Sequence, residues 1–216
     1  EYGNYKKFDQ LVNNFNIGVV KMEVCRNTLP DKKFLKYVRE KTKKRNIVLI
    51  FDECTTGFRQ TFGGIHKLIG INPDMLILGK ALGNGYPITC ILGKENIMKS
   101  AQKSFISSTF WTERSGYVAA LKTLEVMKRI KSWKKITAIG KEIQLNWLKI
   151  FKSYNLNFEI KGIPALSSFV FKNNHDFYRT LIVQEMLKSD FLAASTVYTS
   201  VSHTKKVLNR YFEELD

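Results

Sequence analysis

The sequence predicts an α/β fold whose larger part contains a mainly parallel sheet, followed by a smaller α+β part. Two observations lead to this prediction. Residues 17–24 and 46–53 are short apolar runs, and an amphipathic segment, 31–45, lies between them. Runs of this kind are typical of parallel strands covered on both faces, and a helix between two such strands makes a βαβ unit.

Two more apolar runs, 74–79 and 88–93, extend the predicted sheet. The sequence "GNGYP" at 83–87 separates them and indicates a turn. A long helix is predicted over 113–130, and we place a domain boundary at its end. The sequence then divides into a larger sheet domain, 1–130, and a C-terminal domain.

The C-terminal domain, 131–216, is predicted to mix helices and strands around a separate core. Its predicted helices cover 133–153, 177–189 and 204–214, and its predicted extended segments lie near 160–172 and 196–201.

Composition favours a reduced, cytoplasmic protein without nucleic-acid or membrane partners. The net charge is +16, but the lysines lie mostly on the polar faces of amphipathic helices, as in 31–45. No nucleic-acid motif and no basic run interleaved with aromatics is present. No apolar run reaches the roughly 18 residues of a membrane span. The three cysteines lack paired spacing, which is typical of proteins in a reducing compartment.

Asp52 and Lys80 are the first candidates for a functional site. Asp52 follows a buried-looking run, and a carboxylate there needs a cationic partner, yet no Lys or Arg lies within five residues of it. Lys80 follows another apolar run. Because ligands of open α/β sheets bind beyond the carboxyl ends of the strands, the sheet can bring this carboxylate and this amine to one crevice.

Several kinds of site are excluded or disfavoured by the residues around Lys80 and by the histidines. A phosphate loop is excluded because its glycine and hydroxyl positions hold Asp74 and Ala81. The three histidines have no metal-ligand spacing, so no metal site is predicted, and His66 is expected at the surface. No nucleophile elbow is present.

An aspartate and a lysine in one crevice suit pyridoxal phosphate. The lysine would form a Schiff base with the cofactor aldehyde, and the aspartate would pair with the pyridinium nitrogen. From the residues alone, Asp52 as a helix cap or loop residue and Lys80 as an ordinary solvated lysine remain open.

Residues 47–127 closely resemble the class III, or subgroup II, aminotransferases, a fold-type I pyridoxal phosphate family. The matching stretches are "LIFDECTTGFRQTFGG", "GINPDMLILGKALGNGYPI" and "SSTFWTERSGYVAALKTLEVM", in the family's order. The resemblance is strongest to the branch containing glutamate-1-semialdehyde 2,1-aminomutase. It implies transfer of an amino group from an amino donor to an oxo or semialdehyde acceptor. Full members of the family are longer, so an N-terminally truncated chain is expected.

The resemblance assigns roles to four residues. Lys80 matches the Schiff-base lysine, and Asp52 matches the partner of the pyridinium nitrogen. Cys54 stands where the family usually has a valine packed on the cofactor ring, so packing rather than thiol chemistry is expected. Thr109 matches the residue that reaches the phosphate of the neighbouring subunit's cofactor, which implies a homodimer with shared active sites.

The chain also departs from the family pattern. The family's Ser-Gly-Asn-Pro is replaced by 111–114, "WTER", where Trp111 suits packing or a substrate wall equally. The family's phosphate-binding turn and ring-stacking aromatic have no counterpart in these residues. Two alternatives to an aminotransferase therefore stay open: an isomerase that moves an amino group within one substrate, and a non-catalytic remnant of the same fold.

Overall fold

A computed structural model describes residues 2–25, 29–107, 109 and 112–216. They form two compact units, the first built from residues up to Cys25 and from Pro30–Ile130, the second mainly from Lys131–Asp216. Each unit has its own sheet. The predicted α/β class is confirmed. None of the helices in the described ranges combines the length and apolar character that crossing a bilayer requires.

The sheet of the first unit has four strands in the order β1-β2-β3-β4. β1 (Val19–Glu23), β2 (Val48–Asp52) and β3 (Met75–Leu78) are parallel, and β4 (Cys90–Gly93) runs antiparallel to β3. The carboxyl ends of the first three strands therefore meet at one edge of the sheet. Asp52 is the last residue of the strand at the centre of that group.

Helix α2 (Lys32–Lys44) connects β1 to β2 and covers the sheet with its apolar stripe. Asp31 caps the helix, because its carboxylate accepts the backbone N–H groups of Lys33 and Phe34. Phe34, Leu35 and Val38 are buried, as are Leu49 and Phe51 of β2. The βαβ unit expected from the apolar periodicity is thus confirmed, with ends one or two residues inside the predicted ones.

The first unit also contains elements that the sequence patterns did not predict. Helix α1 (Tyr5–Asn14) precedes β1, and the short helices α3 (His66–Ile69) and α4 (Glu95–Met98) follow β2 and β4. Single 3₁₀ turns cover Lys80–Leu82 and Lys99–Lys103. Helix α5 (Ser115–Ile130) corresponds to the predicted long helix.

The second unit packs three helices with a three-stranded antiparallel sheet of order β5-β6-β7. Aromatic side chains dominate its core, and the Trp147 indole N–H donates a 2.9 Å hydrogen bond to the Tyr211 hydroxyl. The buried polar ends of these two rings therefore satisfy each other. The elements are α6 (Ser132–Ser153), β5 (Phe158–Lys161), β6 (Leu166–Phe171), α7 (His175–Lys188), β7 (Thr196–Tyr198) and α8 (Lys205–Leu215).

A glycine allows α6 to approach the chain between β5 and β6. A Cβ atom at Gly140 would lie 1.8 Å from the carbonyl oxygen of Pro164. Because this neighbour is backbone, no side-chain movement relieves such a clash. Only glycine fits the helix at this contact.

Candidate active site

Asp52 and Cys54 form the part of the candidate site that follows β2. The Cys54 backbone N–H donates a 3.2 Å hydrogen bond to Asp52 Oδ1. The Cys54 thiol also contacts the carboxylate. Burial of the Cys54 thiol, together with its hydrogen bond to Asp52, raises its pKa, so the thiol stays protonated at neutral pH. This state agrees with the packing role expected for Cys54.

Lys21 provides a cation for Asp52 that reasoning from sequence neighbours missed. Lys21 Nζ lies 3.0 Å from Asp52 Oδ2. Burial tends to raise the pKa of the Asp52 carboxyl, but hydrogen bonds from Lys21 and from the Cys54 N–H outweigh it, and the pKa lies below its ordinary value. The Asp52 carboxylate is thus ionised and held at both oxygens.

Strand pairing explains how Lys21 reaches Asp52. β1 and β2 are paired so that Lys21 lies opposite Ile50 and Glu23 lies opposite Asp52. Because alternate residues of a strand share a face, Lys21, Glu23 and Asp52 are on one face of the sheet. Lys21 lies 31 positions before Asp52 in the sequence, and its pairing with Asp52 follows only once the register of β1 and β2 is known.

Lys80 lies just beyond the end of β3, the strand paired with β2 on the other side. Its side chain is exposed, and its Nζ donates a 3.1 Å hydrogen bond to the neutral hydroxyl of Thr55. The backbone of Lys80 has φ 45°, in the left-handed region that non-glycine residues rarely occupy. Seven other described non-glycine residues, Phe58 and Lys131 among them, also have a positive φ, so it is the position at the strand end that singles out Lys80.

Gly79 brings the β3 end close to the β2 end. A Cβ atom at Gly79 would lie 3.3 Å from Cys54 Sγ and 3.1 Å from Thr89 Cγ2. The charges of Lys80 and Lys21 both act on the Cys54 thiol, as does that of Asp52. Of the four predicted site residues, the structure therefore brings three together: Asp52, Cys54 and Lys80.

Glu53 and His66 hold the segment behind the site, and here the prediction that His66 lies at the surface is wrong. Both side chains are buried, and His66 Nδ1 lies 2.6 Å from Glu53 Oε1. The Glu53 carboxylate also accepts the backbone N–H groups of Ile65 and His66 at the start of α3, and the hydroxyl of Thr56. Because a fully buried carboxylate needs several donors, this network explains the second acid of the Asp52–Glu53 pair.

Thr109 is exposed in a turn before α5. No contact with Asp52 or Lys80 is seen among the described residues, and the role expected for Thr109 concerns a neighbouring subunit. That role stays a prediction. Trp111 lies outside the described residues.

Comparisons with known proteins establish the class to which this arrangement belongs. Residues 27–195 match the family model for aminotransferase class-III. The chain therefore belongs to the class III aminotransferase family, as the resemblance in the sequence implied, and members of this family depend on pyridoxal phosphate.

Curated relatives include both aminotransferases and aminomutases. The chain is 36% identical over 147 residues to 3-aminobutyryl-CoA aminotransferase of Cloacimonas acidaminovorans, covering 68% of this chain and 36% of the relative. It is 30% identical over 238 residues to glutamate-1-semialdehyde 2,1-aminomutase of Sulfolobus acidocaldarius, covering 100% of this chain and 57% of the relative. The chain thus spans about half, or less, of the length of the curated relatives it matches.

Solved structures share the fold. The FumI protein of Sphingopyxis sp. MTA144, solved in its pyridoxal phosphate internal aldimine form, superposes with a TM-score of 0.87 at 21% identity, covering 98% of this chain and 52% of that one. Acetylornithine aminotransferase from Elizabethkingia anophelis superposes with a TM-score of 0.87 at 22% identity, covering 99% of this chain and 60% of that one. The fold is therefore that of fold-type I aminotransferases.

Proposed function

We propose that this chain supplies the cofactor-holding lysine and the ring-pairing carboxylate of a pyridoxal-phosphate-dependent aminotransferase. The reaction is transfer of an amino group from an amino donor to an oxo or semialdehyde acceptor. The observation that carries the proposal is the placement of Asp52 and Lys80 at the carboxyl ends of neighbouring parallel strands.

The residues present fit the cofactor in their chemistry. Asp52 offers an ionised carboxylate, which is the acceptor that a protonated ring nitrogen requires. Lys80 offers an exposed amine whose observed hydrogen-bond partner is a neutral hydroxyl. Cys54 offers a small, protonated and apolar surface between them.

Each residue then has a distinct task. When bound, pyridoxal phosphate supplies an electron-withdrawing ring that stabilises negative charge on the substrate carbon. Lys80 would hold the cofactor through Nζ, and the same amine would carry a proton from the substrate carbon as general acid and base. Asp52 would supply the anion that pairs with the ring nitrogen, and Cys54 would supply an apolar packing surface.

A second candidate is intramolecular transfer of the amino group, the aminomutase reaction. It is favoured by the relatives named glutamate-1-semialdehyde 2,1-aminomutase, including one that the whole chain matches. The same residues would serve both reactions. The two differ in whether the amino group leaves with a second substrate.

The proposal includes a homodimer located in the cytoplasm. Helix α5 presents Val118 and Leu121 to solvent, and Phe105 before it is almost fully exposed. Apolar groups in this arrangement favour burial against another chain, and Thr109 at the same end of α5 would then face the partner's cofactor. Free thiols at Cys54 and Cys90 suit a reducing compartment.

The test is to find where the cofactor attaches. The chain is incubated with pyridoxal phosphate, reduced with borohydride and mapped by peptide mass spectrometry. We expect the pyridoxyl label to concentrate on Lys80 at cofactor concentrations that leave other exposed lysines unlabelled. Lys94→Ala serves as the control for loss of an exposed lysine that follows β4 of the same sheet. A label spread evenly over the surface lysines, or concentrated on another lysine, contradicts the proposal.

A further inference from the structure

Lys21 affects how the Asp52 carboxylate can pair with the nitrogen of a cofactor ring. The carboxylate has a donor on each oxygen, the Cys54 N–H on Oδ1 and the Lys21 ammonium on Oδ2. A protonated ring nitrogen that approaches Asp52 therefore meets an oxygen that is already engaged. It also meets a second positive charge 3.0 Å from that oxygen.

We propose that Lys21 and the cofactor ring nitrogen compete for the Asp52 carboxylate, so that Lys21 weakens the hold of the site on a protonated ring. This inference rests on the proposed function. Two cations that share one carboxylate repel each other, and this repulsion acts on a ring nitrogen only in its protonated form.

The surroundings of Lys21 allow it to be displaced. Its side chain is 56% exposed, so the ammonium can turn into water without losing a buried contact. Glu23, which lies opposite Asp52 in the strand register, acts on Lys21 through its charge. Glu23 is therefore a second carboxylate that can take the ammonium when Asp52 pairs with the ring.

Lys21 and Lys80 then have separate tasks at one edge of the sheet. The ammonium of Lys21 is engaged by the Asp52 carboxylate at 3.0 Å, and the hydrogen bond and charge of Asp52 raise the pKa of Lys21, which disfavours the neutral amine that attacks an aldehyde. Lys80 donates to the neutral Thr55 hydroxyl, and no described carboxylate forms an ion pair with it. Lys21 therefore acts as a positioning residue for Asp52, and Lys80 is left to react.

The test uses two aldehydes that differ in the ring nitrogen. Pyridoxal has this nitrogen and lacks the phosphate, whose attraction to Lys21 would obscure the competition. Salicylaldehyde has the same neighbouring aldehyde and hydroxyl but no ring nitrogen. For each aldehyde, the concentration that gives half-maximal reductive labelling of Lys80 is measured by peptide mapping in wild type, Lys21→Met, Lys21→Arg and Lys94→Met.

Lys94→Met is the matched control, because Lys94 also forms an ion pair with an aspartate of this sheet, Asp74, and is similarly exposed. We expect Lys21→Met to lower the half-labelling concentration of pyridoxal by about two- to fivefold, the upper part of the range for one exposed ion pair. Lys21→Arg and Lys94→Met should match wild type. With salicylaldehyde all four proteins should agree.

The outcomes separate this inference from the proposed function. Equal pyridoxal labelling of Lys80 in wild type and Lys21→Met overturns the competition and leaves the proposed function standing. An equal gain for both aldehydes also overturns it, because the ring nitrogen then plays no part. If Lys80 is labelled selectively in none of the four proteins, the proposed function fails and the inference fails with it.

Discussion

At the scale of single residues, the two adjacent acids of the candidate site, Asp52 and Glu53, lie in different surroundings. Asp52 is partly exposed and paired with a lysine that can move, whereas Glu53 is fully buried among fixed donors. The alternation of side chains along the chain directs the two acids to opposite sides, so that Asp52 lies on the side where we propose that the cofactor binds. Glu53 fixes the backbone from which Asp52 and Cys54 project.

The ion pair of Asp52 predicts a specific pH dependence of stability. The pKa of Asp52 is lowered by folding. Its contribution to stability is therefore fully present above the unfolded-state value of about 3.9, and it is lost as pH falls through the folded value. Lys21 has a raised pKa, so its contribution is lost only as pH rises above about 10.4.

The measurement is urea unfolding at pH 7 and at pH 3 for wild type, Lys21→Met and Asp52→Asn. Wild type should lose more of its free energy of unfolding between these pH values than either variant, because both variants lack the pair. Asp9 and Asp74 also have lowered pKa values, but they contribute equally to all three proteins. An identical loss in all three would mean that the Asp52–Lys21 pair does not form in solution.

At the scale of elements, the apolar patterns in the sequence predict the helices and strands that pack in the core. They do not predict features that depend on residues far away in the sequence. β1, α2 and β2 follow from runs of apolar residues, since a strand covered on both faces has to be apolar throughout. Helix α1 was missed although Phe8, Leu11 and Val12 recur at helical spacing, and of the residues described in this helix only Val12 is buried.

The site shows the same limit. The position of Asp52 and Lys80 at one edge of the sheet could be predicted because the strand ends of a parallel sheet meet there. The partner of Asp52 could not, because the pairing of Lys21 depends on register between strands. The burial of His66 could not either, because its partner Glu53 lies 13 residues away across a loop.

Because α6 lies close to the β5–β6 connection, a methyl group added at Gly140 is expected to lower the stability of the protein strongly. Gly140→Ala places Cβ against the Pro164 carbonyl, so the helix has to move away from the sheet of the second unit. We expect a loss of about 2–3 kcal/mol in the free energy of unfolding, the upper range for overpacking.

The effect is measured by denaturant unfolding followed by tryptophan fluorescence, which includes the core residue Trp147. Gly18→Ala is the control, since a Cβ atom there meets nothing within 4 Å. A Gly140→Ala protein as stable as Gly18→Ala would show that α6 does not pack this closely.

At the scale of the whole molecule, the chain contains the proposed cofactor lysine and carboxylate but few groups that could bind a phosphate. The resemblance to the family implies that its phosphate-binding turn at a helix start has no counterpart in these 216 residues. Thr109, the one matching residue, would serve the neighbouring subunit. A phosphate dianion would thus lose most of the N–H donors that normally bind it.

We therefore predict that the 216-residue chain by itself turns over far more slowly than the roughly 1 per second that is ordinary for enzymes. The assay combines the chain, pyridoxal phosphate, an amino donor and an oxo acceptor, and follows keto-product formation, with Lys80→Ala as the blank. Turnover at ordinary rates would mean that the chain builds a phosphate site from other residues.

The proposed homodimer makes a separate prediction about association. Leu121→Lys places a charge on the exposed apolar side of α5 and should increase the dimer dissociation constant by tenfold or more, the effect of losing roughly 1.4 kcal/mol. Leu145→Lys on α6 makes the same change at a similarly exposed position and should leave the constant unchanged. Sedimentation over a range of concentrations measures both. A wild-type chain that stays monomeric throughout contradicts the homodimer.

The left-handed backbone of Lys80 sets the needs of folding against those of chemistry at one position. Glycine adopts a φ of 45° without strain, whereas lysine at this position costs on the order of 1 kcal/mol. Lys80→Gly would relieve that strain in the folded chain and, under the proposed function, would remove the amine that holds the cofactor. The end of β3 thus carries a side chain that backbone geometry alone would not choose.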